Sequence, residues 1–216
     1  MLACCILAHQ LGPGSGVLQV RIRSRWNNKK KERSLEEVAG ALAFIEWRIA
    51  GNALLHLENE GFQTDTQSQR LDVVQEFSAF LIHVTDRLVH DLMNGEERER
   101  FIIALALKMA DTCHDNRLDA NGSGRDYRQP FIDTLNARMA DYAEFVFEGR
   151  QPGYAFKRYL GEAVTHTMGD RDRKWISDQV MEIEVPDMLK TLEKGLKELF
   201  DSGNTETPSG ASVQPG

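Results

Sequence analysis

Cysteine and proline are scarce here: three and six in 216 residues. The cysteine count is odd and Cys4 and Cys5 are adjacent, so no disulfide framework can be drawn. Adjacent cysteines also cannot supply the spaced pair of a zinc knuckle. Free thiols suit a reducing compartment, and a cytoplasmic setting is expected. Cys113, behind an apolar run, reads as a small core residue. No stretch alternates apolar and polar residues long enough for a convincing strand. None reaches the roughly 18 consecutive apolar residues of a membrane span. Met1 to Ala8 is apolar but short, lacks a basic n-region, and makes a poor signal peptide.

Catalytic signatures are missing as well. There is no Gly-x-Ser-x-Gly elbow, no glycine-rich phosphate loop before a lysine, and no His-Glu-x-x-His. A di-iron bundle needs Glu-x-x-His from each of two helices, and Asp111-Thr-Cys-His114 is the nearest match. No metal site and no cofactor is expected. Asp119, Asn121 and Ser123, with Gly124, imitate the first half of an EF-hand loop. The twelfth position, where a bidentate acid belongs, is Pro130, so an ordinary polar loop is expected.

Charge is unevenly spread. The first 33 residues carry +6 and the rest −13, giving the overall −7. The basic residues are Arg21, Arg23, Arg25, Lys29, Lys30, Lys31 and Arg33, with Trp26 among them. Such an arm suits contact with an anionic surface, including a membrane interface, or else a solvated leader. The acidic remainder argues against nucleic-acid binding.

What fills the middle of the chain is helical periodicity. Ser34 with Glu37 forms a capping box opening a first helix, Leu35 to about Glu60, stopped by Gly61. A second helix runs from Gln67 toward Gly95, and a third from Glu96 to about His114, predicted to be the most buried. A loop, Asp115 to Gln129, precedes a fourth helix from Pro130 to Gly149. A fifth covers Tyr154 to Met168, and a sixth begins near Asp172, to be kinked or broken by Pro186. The expected architecture is all-α: a single-domain bundle of six or seven helices over residues 34–201. A disordered basic leader (1–33) and a disordered tail (202–216), rich in Ser, Gly, Thr and Pro, flank it.

Two features stand out as candidate sites. On the second helix Asp72, Glu76, His83, Arg87 and His90 fall within a band roughly 60° wide on an otherwise apolar helix. The band is either a solvated edge or a buried polar network. On the first helix Glu46 points with Leu42, Ile49, Ala53 and Leu57, and an acid on an apolar face needs a partner. It is either a functional group or half of a buried ion pair with Arg87 or Arg138. In the ion pair, even Glu46→Gln loses stability. The candidates for a ligand site or buried network are therefore Glu46, His83, Arg87, His90 and Arg138. Tyr127, Tyr142, Tyr154 and Tyr159 are candidates to line a pocket beside the third linker.

No motif separates an enzyme from a binding module. The function expected first is a non-enzymatic interaction or regulatory module with a protein partner or self-association as a homodimer. The alternatives are a small-ligand-binding or enzymatic bundle using the Glu/His/Arg seam, and a peripheral membrane protein using the arm.

Overall fold

A computed structural model describes residues 33–122, 124–169 and 173–201. The basic-arm residues Arg21 to Lys31, the leader apart from Arg33, and the tail lie outside these residues.

The architecture is all-α, as the periodicity predicts. The helices are α1 (Leu35–Asn59), α2 (Gln67–Val89), α3 (Gly95–Asn121), α4 (Arg128–Ala143), α5 (Tyr154–Met168), α6 (Arg173–Gln179) and α7 (Val185–Asp201). A π-helical turn, Val180–Glu184, joins the last two. Two short strands, β1 (Phe147–Glu148) and β2 (Gln151–Pro152), pair antiparallel between α4 and α5.

Local chemistry sets the helix ends. The Ser34–Glu37 capping box is formed in both directions, satisfying two orphan N–H groups of α1. Thr66 caps α2 by accepting from the Gln69 amide. Gly95, expected to stop the second helix, is instead the first residue of α3. Asn94 is its N-cap and completes a second capping box with Glu97. Helix α3 runs on to Asn121, through half of the expected loop, because Arg117 is buried and bonds Asp72 and Gln75 of α2. Tertiary contact thereby extends a helix whose last turns have weak local preference. Asp119 and Asn121 are therefore helical, and the EF-hand-like loop is not formed there. Pro130 sits in the first turn of α4 rather than at its first residue. That helix stops at Ala143, short of the predicted Gly149, because the chain turns back at Gly149 and Arg150. Both have positive φ, 56° and 65°, the conformation of a tight two-residue hairpin.

Pro186 stands in the first turn of α7, and the expected interruption lies just before it, where α6 gives way to the π turn. A proline lacks the N–H that would reach back four residues, and its ring crowds that carbonyl. The wider π turn immediately before it relieves the conflict, with the Val185 amide bonding the Val180 carbonyl.

Helix α2 occupies the centre, packed by α1 and α3 on one side and α4 and α5 on the other. Phe77, Phe80, Leu81, Ile82 and Val84 are completely buried. The α6–α7 arm lies along α5 and α1. The most buried helix is thus α2 and not α3, where Ile103 is only partly buried and Leu107 is 46% exposed. Helix α3 packs broadly on α1 but leaves its far face in solvent, a consequence of sitting at the bundle's edge. Cys113 is buried in the core. Gly161 lets α5 and α6 approach closely: a Cβ there would lie 2.5 Å from Ser177 Oγ.

By mean hydropathy α1 reaches 1.3 over an 18-residue window, long and apolar enough to cross a membrane although it holds no unbroken apolar run. Half of that window is buried inside the fold, as in the core helix of a bundle.

Candidate functional site

The polar band of α2 is a paired network for most of its length. At its upper end Asp72 bonds Arg117 of α3. One turn on, Glu76 meets Arg138 of α4 in a bidentate pair, Nε–Oε2 at 2.6 Å and Nη2–Oε1 at 2.7 Å. Arg138 Nη1 donates to the Tyr159 hydroxyl at 3.1 Å, and that hydroxyl donates to Asp141. The hydrogen bonds to Glu76 hold the Arg138 guanidinium well above its ordinary pKa. Burial, then the bond to Asp141, pushes the Tyr159 phenol up. This is a planar fork matched to a carboxylate, the strongest common form of ion pair.

Farther along, His83 is 3% exposed and sits against the rings of Tyr142 and Phe156, with centroids 5.6 and 5.5 Å away. Arg87 Nε donates to His83 Nε2 at 3.2 Å, and Arg87 Nη2 donates to the Ala143 carbonyl. Burial, then the adjacent arginine charge, lowers the His83 pKa to about 3. The ring is neutral, and because Nε2 accepts, the proton resides on Nδ1. His83 Nδ1 and the Tyr142 hydroxyl are buried without a hydrogen-bond partner among the described residues. Burial raises the Tyr142 phenol far above its ordinary value. His90 is outside this network: it lies exposed past the end of α2, its Nδ1 2.9 Å from Asp91.

Glu46 is fully buried on the inner face of α1, where the apolar pattern places it. Its partner is not an arginine. Arg138 is committed to Glu76 and Arg87 to His83, so the expected ion pair is not formed. Glu46 Oε1 instead accepts from Thr85 Oγ1 of α2 at 2.6 Å, and Oε2 has no partner among the described residues. Burial raises the carboxyl to about 8, against a smaller downward pull from the Thr85 bond. Without a cation nearby, an acid in this position keeps its proton at neutral pH.

The structure brings Glu76, Arg138, His83 and Arg87 to the α2–α4–α5 junction, and leaves Glu46 on the α1 side of α2 and His90 in solvent. Of the tyrosines, Tyr142 and Tyr159 join the junction, whereas Tyr127 packs near His114. Tyr154 lines an open cleft of about 450 Å³ between α5 and α6, with Arg158, Glu162, Thr165, Ser177 and Met181 among its other walls. Of the residues predicted for a site or a pocket, Tyr154 alone lines it. Among the described residues no group of three or more His, Cys, Asp or Glu side chains could hold a metal ion.

Sequence reasoning missed Glu184. It is 1% exposed in the π turn, accepts from Gln179 Nε2 at 3.2 Å, and lies 3.4 Å from His56 of α1. Burial raises its carboxyl. The only signal was Pro186 two residues later.

The surface offers one more feature. On the outer face of α1, Phe44 is 63% and Leu55 47% exposed, and Trp47 beside them is half-buried. Arg48 lies over the Phe44 ring at 5.7 Å. Gly40 precedes Phe44 on this stripe and Gly51 lies between Arg48 and Leu55, and a Cβ at either glycine would meet nothing within 4 Å.

No protein-family model, no curated protein and no solved structure matches the chain.

Proposed function

We propose that the chain is a non-enzymatic interaction module that works through the outer face of α1. The observation that carries this reading is the exposed Phe44 and Leu55 on one helical stripe with Trp47. A bundle that has already buried the opposite side of α1 gains nothing from large apolar side chains in water, and such a patch marks a contact surface. The polar residues agree: Glu76, Arg138, Asp72 and Arg117 are occupied with one another in joining helices. Glu46 and His83 do not converge on a shared cavity.

The test is a photo-crosslinking amino acid at position 44, compared with one at the exposed Glu99 of α3, in extract of the cells that make the protein. Adducts specific to position 44 are expected. Equal or absent labelling at the two positions would end the proposal.

A ligand-binding reading has one observation in its favour, the unpartnered His83 Nδ1 and Tyr142 hydroxyl in adjacent buried rings. Native mass spectrometry of protein from its own host tests it through a retained small molecule that His83→Phe abolishes.

A further inference from the structure

We infer that the partner of the α1 face is a second copy of this chain, bound with the two α1 helices antiparallel across a twofold axis between Trp47 and Arg48. The inference rests on the interaction reading above and adds the identity of the occupant.

The argument starts from two glycines. Glycine is the poorest helix former after proline, yet Gly40 and Gly51 lie in the interior of α1. Neither has positive φ, and neither has a neighbour that a Cβ would strike. Nothing within the described chain requires glycine at these positions. What glycine offers there is a shallow hollow on the outside of the helix.

The second observation is independent of the glycines. Phe44 and Leu55 project into solvent from the same stripe. The order along it is Gly40, Phe44, Trp47, Arg48, Gly51, Leu55. These positions are symmetric about the Trp47–Arg48 midpoint. A twofold axis through that midpoint sets Phe44 against Gly51 of the second copy and Leu55 against Gly40. Each exposed apolar side chain then meets a hollow, four times over. An isologous contact demands this self-complementarity, and a partner of unrelated sequence has no reason to reproduce it. Near the axis, Trp47 of one copy meets Arg48 of the other, a pairing in which the indole face attracts the guanidinium.

The contact stripe spans about 22 Å at the helical rise. That is small for a permanent interface, so the association is a concentration-dependent monomer–dimer equilibrium.

Sedimentation equilibrium of the full chain over a concentration series tests this, with Phe44→Asp and Gly51→Leu as variants. Phe44 is exposed and Gly51 opens to space, so both variants should keep the wild-type circular dichroism and melting behaviour. Gly51→Leu serves as a second probe because it improves helix propensity while filling the hollow. The wild type should rise toward twice 24.4 kDa and both variants should stay monomeric, with a crosslinker at position 44 attaching near Gly51 of another copy. A chain that stays monomeric while position 44 crosslinks to a different protein overturns the second copy and leaves the interaction reading standing. A monomer with no specific adduct at position 44 overturns both. A dimer unaffected by Gly51→Leu overturns the proposed register.

Discussion

Arg138 of α4 grips Glu76 of α2 through two parallel hydrogen bonds, and the same guanidinium passes on to Tyr159 of α5. One side chain thus ties three helices. Replacing Arg138 by Ala leaves a nearly buried carboxylate without its cation. Removing one partner of a buried pair costs about 3–5 kcal/mol, and the quarter-exposed Arg138 places this case at the lower end. Urea denaturation of Arg138→Ala should show that loss. Arg138→Lys should fall between, since a point charge cannot make the forked contact.

Glu46 and His83 predict opposite pH responses. The folded-state pKa of Glu46, about 8, lies above its ordinary 4.5, so the folded chain holds that proton more tightly than the unfolded one. Its contribution is complete below about 4.5 and is lost as pH rises toward about 8. For His83 the folded value of about 3 lies below the ordinary 6.5. Its contribution is complete above 6.5 and is lost as pH falls toward 3. Glu46→Gln removes the first loss, because an amide keeps the Thr85 bond and never ionises. Its stability relative to wild type should rise across the window from 4.5 to 8, by on the order of a few kcal/mol at the upper end. A cost at neutral pH, which an arginine pair would impose, should not appear in the denaturation midpoints.

Gly161→Ala should destabilise the α5–α6 contact by about 1–3 kcal/mol, because the new methyl overpacks against Ser177. Ser177→Ala in the same chain should recover part of the loss, the remainder reflecting the Ser177 carbonyl at 3.0 Å. Thermal melts of the single and double variants measure both.

Gly40→Ala and Gly51→Ala should each leave the fold intact and stabilise the monomer by up to about 1 kcal/mol, since a mid-helix glycine in open space carries only its entropic penalty. Melts at low concentration read this directly. A loss at either position would show a packing role for the glycine that the structure does not contain.

The helix framework was legible because caps and periodicity are local. Ser34 and Glu37 announce α1, and the phase of Leu42, Ile49 and Leu57 places Glu46 inside, where it lies. What the pattern could not supply was pairing. Arg138 and Glu76 are each visible as polar residues on apolar helices, but their meeting depends on how α4 crosses α2. An arginine partner is expected of Glu46 only if the buried acid is charged, whereas burial without a cation keeps it protonated. The phase that places Glu46 inside also turns Phe44 and Leu55 the opposite way. What it does not show is that this side of α1 stays uncovered, because that depends on how the other helices pack around α1.

The measurement closest to the central claim is fluorine NMR of the full chain with 4-fluorophenylalanine at position 44, recorded over a dilution series. The account predicts a resonance that shifts and broadens as concentration rises, and a Gly51→Leu chain whose signal stays at its dilute, solvent-exposed position. A wild-type signal that stays solvent-exposed at every concentration, and does not change when cell extract is added, would contradict the assignment of the α1 face as an interaction surface.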